Sequence, residues 1–314
     1  MSRDTLTATT DARKRFMELE RQMLDHYGVR ATSRYVDLAT PRMRVHVLEA
    51  GAGEPLLIFH GGDGEAVDWA PLLGVIQDHV HIYAVDRPGF GLSDPFDYRH
   101  VDLRKHAVEF VSSLLDALGL ESATLIGGSM GGFFALSMAI AHPERVRNLI
   151  LVGAPVGMTK EVSLPLRLVC AIPGASRRLM KSASSLEGQR KQYRNMFRLD
   201  PDGVPLLYFQ TRVAALNIPG TQETWAVLLR RLARLRGFRP EVYLGEELSR
   251  LSMPVLILWG ERDMIPTALG ENAARRIPNC RFVCMKGVAH FPFFEATQEC
   301  ARLILEFVRT PQLA

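Results

Sequence analysis

The stretch Ala123-Thr124-Leu125-Ile126-Gly127-Gly128-Ser129-Met130-Gly131-Gly132-Phe133-Phe134 changes its hydrophobic pattern within a few residues. Residues 123–126 read as a short β-rich run and residues 133–141 as an apolar helix. A strand that turns straight into a helix crowds its turn residue into a strained backbone, so the flanking positions must be small. Gly127 and Gly131 meet that need around Ser129 in a G-x-S-x-G pattern. Such a turn exposes the serine hydroxyl, and the amides and dipole of the following helix favour negative charge developing beside it. The competing reading is a glycine-rich turn without chemistry.

Working outward, β-rich runs recur at residues 44–49, 56–59, 81–85, 149–152, 255–259 and 281–285, most of them separated by helical patterns or turn clusters. Strands alternating with helices imply a mostly parallel sheet. Residues 11–27 carry Phe16, Leu19, Met23 and Tyr27 at helical spacing, an amphipathic N-terminal extension closed by Gly28. After Ala154 the strand signal stops until Val255, and the interval reads as all helix. Its clearest member follows Thr221, with Trp225, Leu228, Leu229 and Leu232 as one stripe and Gly237 as its end.

With 47% hydrophobic and 23% charged residues in a chain of 314, the composition excludes disordered, collagenous and coiled-coil classes. The longest nearly apolar stretch, residues 133–141, is well short of the ~20 residues that cross a bilayer. The polar, Thr-rich start has no apolar leader core, so the expectation is a cytoplasmic protein with no membrane partner. Cys170, Cys280, Cys284 and Cys300 show neither C-x-x-C spacing nor scaffold density, so reduced packing thiols are expected. Net charge is +4, but residues 155–245 hold fifteen basic residues against six acids, a local +9 that leaves −5 elsewhere. A solvated helix surface is the preferred reading of that excess over an anion-steering patch. No nucleic-acid motif accompanies it, and no nucleic-acid partner is expected.

Serine is a weak nucleophile unless a base takes its proton, so the elbow demands a histidine and an acid on later loops of the same sheet edge. Residues 255–259 run into Gly260-Glu261-Arg262-Asp263, and residues 281–285 are followed by Gly287-Val288-Ala289-His290. Asp263 and His290 thus fall on neighbouring loops, in the chain order Ser, Asp, His. His26 and His106 fall on helices, His46 and His81 on strands, and His142 precedes Pro143; all five read as structural or surface residues. Glu261, the rival acid, leaves its strand early and is expected to pair with Arg262. An oxyanion needs two N–H donors. Met130 supplies one, and Gly62, in His60-Gly61-Gly62-Asp63-Gly64, supplies the other. His60 is expected to brace that loop, and no cofactor or metal is expected.

Taken together, His60-Gly61-Gly62, Asp86-Arg87-Pro88-Gly89-Phe90-Gly91-Leu92-Ser93, the elbow at Ser129, His142-Pro143-Glu144-Arg145-Val146, Gly260-Glu261-Arg262-Asp263 and His290-Phe291-Pro292 with Glu295 resemble the α/β-hydrolase fold superfamily, in its cap-containing form, over residues 34–310. The resemblance implies an α/β fold: a mostly parallel eight-stranded sheet with helices on both faces and an inserted helical cap. It divides the chain into an N-terminal extension (1–30), a core (31–155 and 246–314) and a cap (156–245). Haloalkane dehalogenases and epoxide hydrolases of the superfamily carry Asp at the elbow, so Ser129 argues against both. Meta-cleavage carbon-carbon hydrolases usually carry Asn before the serine and Gly-His-Trp around the histidine, where this chain has Gly128 and Ala289-His290-Phe291. The expected function is a serine hydrolase of a small, partly apolar ester, thioester or lactone. The alternatives are carbon-carbon hydrolysis of a keto acid, with cap arginines holding its carboxylate, and a non-hydrolytic ligand receptor on the same fold. Leu164, Leu168, Tyr193, Phe197, Tyr208, Phe209 and Trp225 are expected in the cap core rather than in the pocket wall.

Overall fold

The computed structural model describes residues 3–310, with side chains from residue 9 onward. Helix α1 (Arg3–His26) precedes strands β1 (Ala31–Ala39), β2 (Arg42–Ala50) and β3 (Pro55–Phe59), helix α2 (Ala70–Ile76), β4 (His81–Val85), α3 (Leu103–Ala117), β5 (Ala123–Gly128), α4 (Met130–Ala141) and β6 (Val146–Val152). An insertion follows, with helices α5 (Leu164–Ala171), α6 (Ala175–Ala183), α7 (Leu186–Met196), α8 (Leu206–Leu216) and α9 (Thr221–Leu232) and a small hairpin, β7 (Ala233–Arg234) with β8 (Gly237–Phe238). The chain then completes the sheet with β9 (Val255–Gly260), α10 (Thr267–Ala274), β10 (Cys280–Met285), α11 (Pro292–Glu295) and α12 (Thr297–Arg309).

Eight strands form one sheet in the order β1-β2-β4-β3-β5-β6-β9-β10. Pairing is parallel from β4 to β10 and antiparallel where β2 meets β1 and β4. The central strands β3, β5 and β9 are buried at nearly every position because both faces are covered. Leu57 and Phe59 pack with Phe110 and Phe134 on one side, while Leu56 and Ile58 pack with Leu72, Ile304 and Phe307 on the other. The parallel register sets Phe59 beside Gly127, Gly128 beside Val152 and Met285 beside Gly260. The C-terminal strand ends therefore share one rim, and the loops bearing Gly62, Ser129, Asp263 and His290 leave from it.

Several sequence expectations need correction. Helix α1 begins at Arg3 rather than residue 11, because apolar periodicity marks only the part that packs: Phe16, Leu19 and Met23 are buried. Strand β1 was absent from the β-rich runs because it is an edge strand with Arg34 and Asp37 among its residues, and only Val36 and Leu38 are buried. Helix α9 stops at Leu232, short of Gly237, which takes a positive φ of 121° inside the hairpin. Leu164 and Leu168 are exposed instead of belonging to a helical core. The basic excess of the insertion is also not wholly solvated. Arg231 donates to the carbonyls of Tyr98 (2.8 Å), Arg99 (3.0 Å) and Val101 (2.8 Å), and Arg212 is buried. Among the described residues, no helix is long and apolar enough to cross a membrane.

The extension packs on its own chain, and with its apolar stripe it buries Glu20. Glu20 lies 3.7 Å from His46, whose Nδ1 is 2.7 Å from Asp86 and whose Nε2 is 2.8 Å from the Ser33 hydroxyl. Asp86 also accepts the amides of Ala66 (2.7 Å) and Leu92 (2.8 Å). Burial, with the Asp86 charge adding to it and His46 opposing, pushes the Glu20 carboxyl up to about 7. Burial opposes protonation of His46, yet Asp86 and Glu20 raise it above its ordinary value. A carboxyl raised in the folded state stabilises the fold most below its unfolded value near 4.5, and that contribution is lost as pH climbs through about 7. Glu20→Gln stays neutral throughout. Its Tm relative to the native chain should therefore rise by a few degrees between pH 5 and pH 8, at about 2–4 °C per kcal/mol. Parallel melting curves across that range check this, and a flat or inverted difference contradicts the buried neutral carboxyl.

Candidate active site

Ser129 sits at φ 48° and ψ −109°, between β5 and α4, in a region that side chains rarely adopt. The neighbours show what holds it there. A Cβ at Gly127 would lie 2.6 Å from the backbone of Gly132, and one at Gly131 would collide with the carbonyls of Phe59 and His60. The Ser129 carbonyl accepts the amides of Gly132 and Val156, both at 3.0 Å. Its hydroxyl makes no hydrogen bond among the described residues and opens onto a cavity that His290 also lines.

His290 and Asp263 are both buried, and Nδ1 of the imidazole is 2.8 Å from Asp263 Oδ2. The same carboxylate accepts the amides of Ala154 (3.0 Å) and Ile265 (3.1 Å), which fixes its orientation. With Nδ1–H donating to Asp263, Nε2 is left as the basic nitrogen. The structure thus joins two of the three expected side chains directly and brings the third to the same cavity, without a Ser129–His290 hydrogen bond in this conformation. Glu295 brackets the histidine loop by accepting the amides of Ala289 and Phe291, each at 2.9 Å. Glu261 does not pair with Arg262. It accepts the Gly287 amide at 2.8 Å, because the β9–β10 register sets Gly260 against Met285 and carries Glu261 to the turn that follows.

Gly62 and Met130 both line the cavity beside Ser129. Met130 opens α4, so its amide has no carbonyl four residues back within the helix. The Gly62 amide has no hydrogen-bond acceptor among the described residues. The loop bearing Gly62 is braced by two residues. His60 donates from Nδ1 to the Gly61 carbonyl (2.8 Å) and accepts the Arg87 amide at Nε2 (2.9 Å). Burial, reinforced by Arg87, holds its basicity well below the ordinary imidazole value, so it stays neutral. Arg87 donates its guanidinium to the carbonyls of His60 (3.1 Å), Gly61 (2.6 Å) and Gly62 (2.5 Å). Sequence reasoning quoted Arg87 within a motif but gave it no task; its place between Asp86 and Pro88 was the only signal available.

The insertion supplies the other wall of the cavity. Trp225 of α9 stands against Gly62, where a Cβ would lie 2.5 Å from the indole. Phe197, just after α7, stacks on His290 with ring centroids 5.4 Å apart and planes at 10°. Arg198 donates to the Asp263 carbonyl at 3.4 Å. Tyr193, Phe197 and Trp225 therefore line the cavity, contrary to the expectation that they form only a cap core, whereas Tyr208 and Phe209 are buried away from it. Arg212, Asp63 and Asp68 line it as well, and no sequence signal had singled them out.

The sequence profile of the alpha/beta hydrolase family matches residues 56–303, and the chain belongs to that family. A 2-hydroxy-6-oxononadienedioate/2-hydroxy-6-oxononatrienedioate hydrolase of Burkholderia vietnamiensis (strain G4 / LMG 22486) is 28% identical over 290 residues, covering 89% of this chain and 96% of the relative. A pimeloyl-(acyl-carrier protein) methyl ester esterase of Legionella pneumophila (strain Corby) is 26% identical, covering 85% and 100%. Among solved structures, carboxylesterase CesB from Bacillus subtilis superposes with a TM-score of 0.74 at 22% identity, covering 96% of this chain and 100% of its own. These likenesses make the protein a hydrolase of the α/β class.

The carbonyls of His60, Gly61 and Gly62 converge on one buried guanidinium. Arg87→Met should destabilise the fold by about 2–4 kcal/mol, the scale for orphaning buried groups held by a charged donor. It should also lower turnover by loosening Gly62. Chemical denaturation together with steady-state kinetics checks both effects; a variant as stable and as active as the native chain contradicts the bracing role.

Proposed function

We propose that the protein is a serine hydrolase that cleaves a small, partly apolar ester, thioester or lactone through an acyl-enzyme intermediate. The observation that carries this reading is the 2.8 Å bond between His290 Nδ1 and Asp263, with Nε2 left basic in the cavity onto which the strained Ser129 opens. In this reading the Ser129 hydroxyl attacks the substrate carbonyl while His290 Nε2 takes its proton and then delivers it to the leaving group. Asp263 holds the imidazole in the right tautomer and stabilises its cation. The amides of Gly62 and Met130 stabilise the oxyanion, and water completes the cycle by releasing the acyl group. Residues 156–245 act as the cap: Trp225 and Phe197 exclude water from the oxyanion loop and the imidazole.

The names of the Burkholderia relative and its like support a second reading, carbon-carbon hydrolysis of a keto acid with the same three residues. Parallel assays with aryl esters and with such keto acids separate the two.

A fluorophosphonate probe should label Ser129 and not the Ser129→Ala variant. That substitution should lower hydrolysis by about a million-fold, the scale for losing a nucleophile that acts in one unit with its base. Substantial turnover by the alanine variant, or a native chain that the probe never modifies, contradicts the proposal.

A further inference from the structure

Apart from Ser129 and His290, most of the cavity wall is apolar, and one group of buried polar side chains interrupts it: Asp63, Asp68 and Gln192 with Arg212. Arg212 is the sole Arg or Lys side chain among the described residues lining the cavity, and its fork is already taken. Nη2 meets Asp63 Oδ1 at 2.9 Å, and Nη1 meets Asp68 Oδ2 at 2.6 Å and Glu65 Oε2 at 3.3 Å. Three carboxyl groups therefore surround one guanidinium, all within the protein interior.

This arrangement leaves four side-chain atoms of the cluster orphaned, Glu65 Oε1 and three that belong to cavity-lining residues; Trp69 Nε1 on the same wall is unpaired as well. Asp63 Oδ2, Gln192 Oε1 and Arg212 Nε are buried without a hydrogen-bond partner, in residues only 4%, 7% and 2% exposed. A buried polar atom without a partner costs about 1–3 kcal/mol, so a group that satisfies it gains affinity. Within the group of Asp63, Gln192 and Arg212 the unpaired atoms are two acceptors and one donor. A hydroxyl can donate to an acceptor and accept from Arg212. A carboxylate offers no donor, and it would add a negative charge beside carboxyl groups that already outnumber the one cation, in a medium that screens poorly.

We infer that Asp63, Gln192 and Arg212 determine specificity, selecting substrates whose tail carries an uncharged hydroxyl and rejecting those whose tail ends in a carboxylate. The inference deepens the reading of this cavity as the substrate pocket and names the substrate class. It also runs against the expectation that cap arginines hold a substrate carboxylate.

The test is binding to the Ser129→Ala protein, measured by calorimetry, of three matched methyl esters: ω-hydroxy, ω-carboxylate and unsubstituted, in chains of four to ten carbons. At the best-fitting length the hydroxy ester should bind about tenfold more tightly than the unsubstituted one, the factor equivalent to one hydrogen bond, and tighter still than the carboxylate. Adding Gln192→Leu should erase the advantage of the hydroxyl, and adding Asp63→Asn should narrow the penalty on the carboxylate, with thermal melts reporting that each variant is folded. Should Asp63→Asn unfold, the ester ranking and Gln192→Leu still decide the matter. A carboxylate bound as well as the hydroxyl overturns the inference, as does a hydroxyl with no advantage at any length, or no binding by any of the three. Labelling of native Ser129 by a fluorophosphonate separates the two proposals. Labelling with the wrong ester ranking overturns the specificity and leaves the hydrolase reading standing; the expected ranking without labelling does the reverse.

Discussion

The contact on which the site depends is the approach of helix α4 to the end of β3, where Gly131 lies so close to the carbonyls of Phe59 and His60 that no side chain fits between them. That contact acts on two loops at once. It forces the chain through the left-handed conformation at Ser129, lifting the hydroxyl out of the sheet edge, and it sets the loop bearing Gly62 beside the first amide of α4. Ser129 and the amides of Gly62 and Met130 are thereby placed by packed backbone, which is stiffer than any side-chain contact could be.

Around that contact the site is built in layers of polar satisfaction. Arg87 and His60 hold the carbonyls of the loop bearing Gly62, and Asp86, next to Arg87, holds the amides of Ala66 and Leu92 while meeting His46. The N-terminal helix contributes Glu20 to this buried set, so the extension is tied to the same network that begins beside the loop bearing Gly62. On the far side, Ala154 and Ile265 orient Asp263, and Glu295 holds the loop of His290.

The insertion is more than a cover. Its aromatic residues reach the cavity directly through Phe197 on His290 and Trp225 on Gly62, and Arg212 anchors it to Asp63, Glu65 and Asp68 of the core. Most of this attachment runs between residues far apart in the chain, and Arg212, expected on a solvated basic surface, is one of the largest fully buried side chains among the described residues.

What the sequence determined by itself follows from local physics. Gly127 and Gly131 around Ser129, the apolar runs that end in Asp263 and His290, and the alternation of strands with helices are constraints within a few residues, and each is visible as a pattern. The polar edge strand β1, the end of α9 at Leu232 and the partner of Glu261 depended on neighbours distant in sequence, so no local pattern carried them. The same holds for the roles of Arg87 and Arg212. A guanidinium reads alike at every position of a chain, and only folding decides whether it meets water, three carbonyls or three carboxyl groups, because burial and pairing are properties of the whole packed molecule.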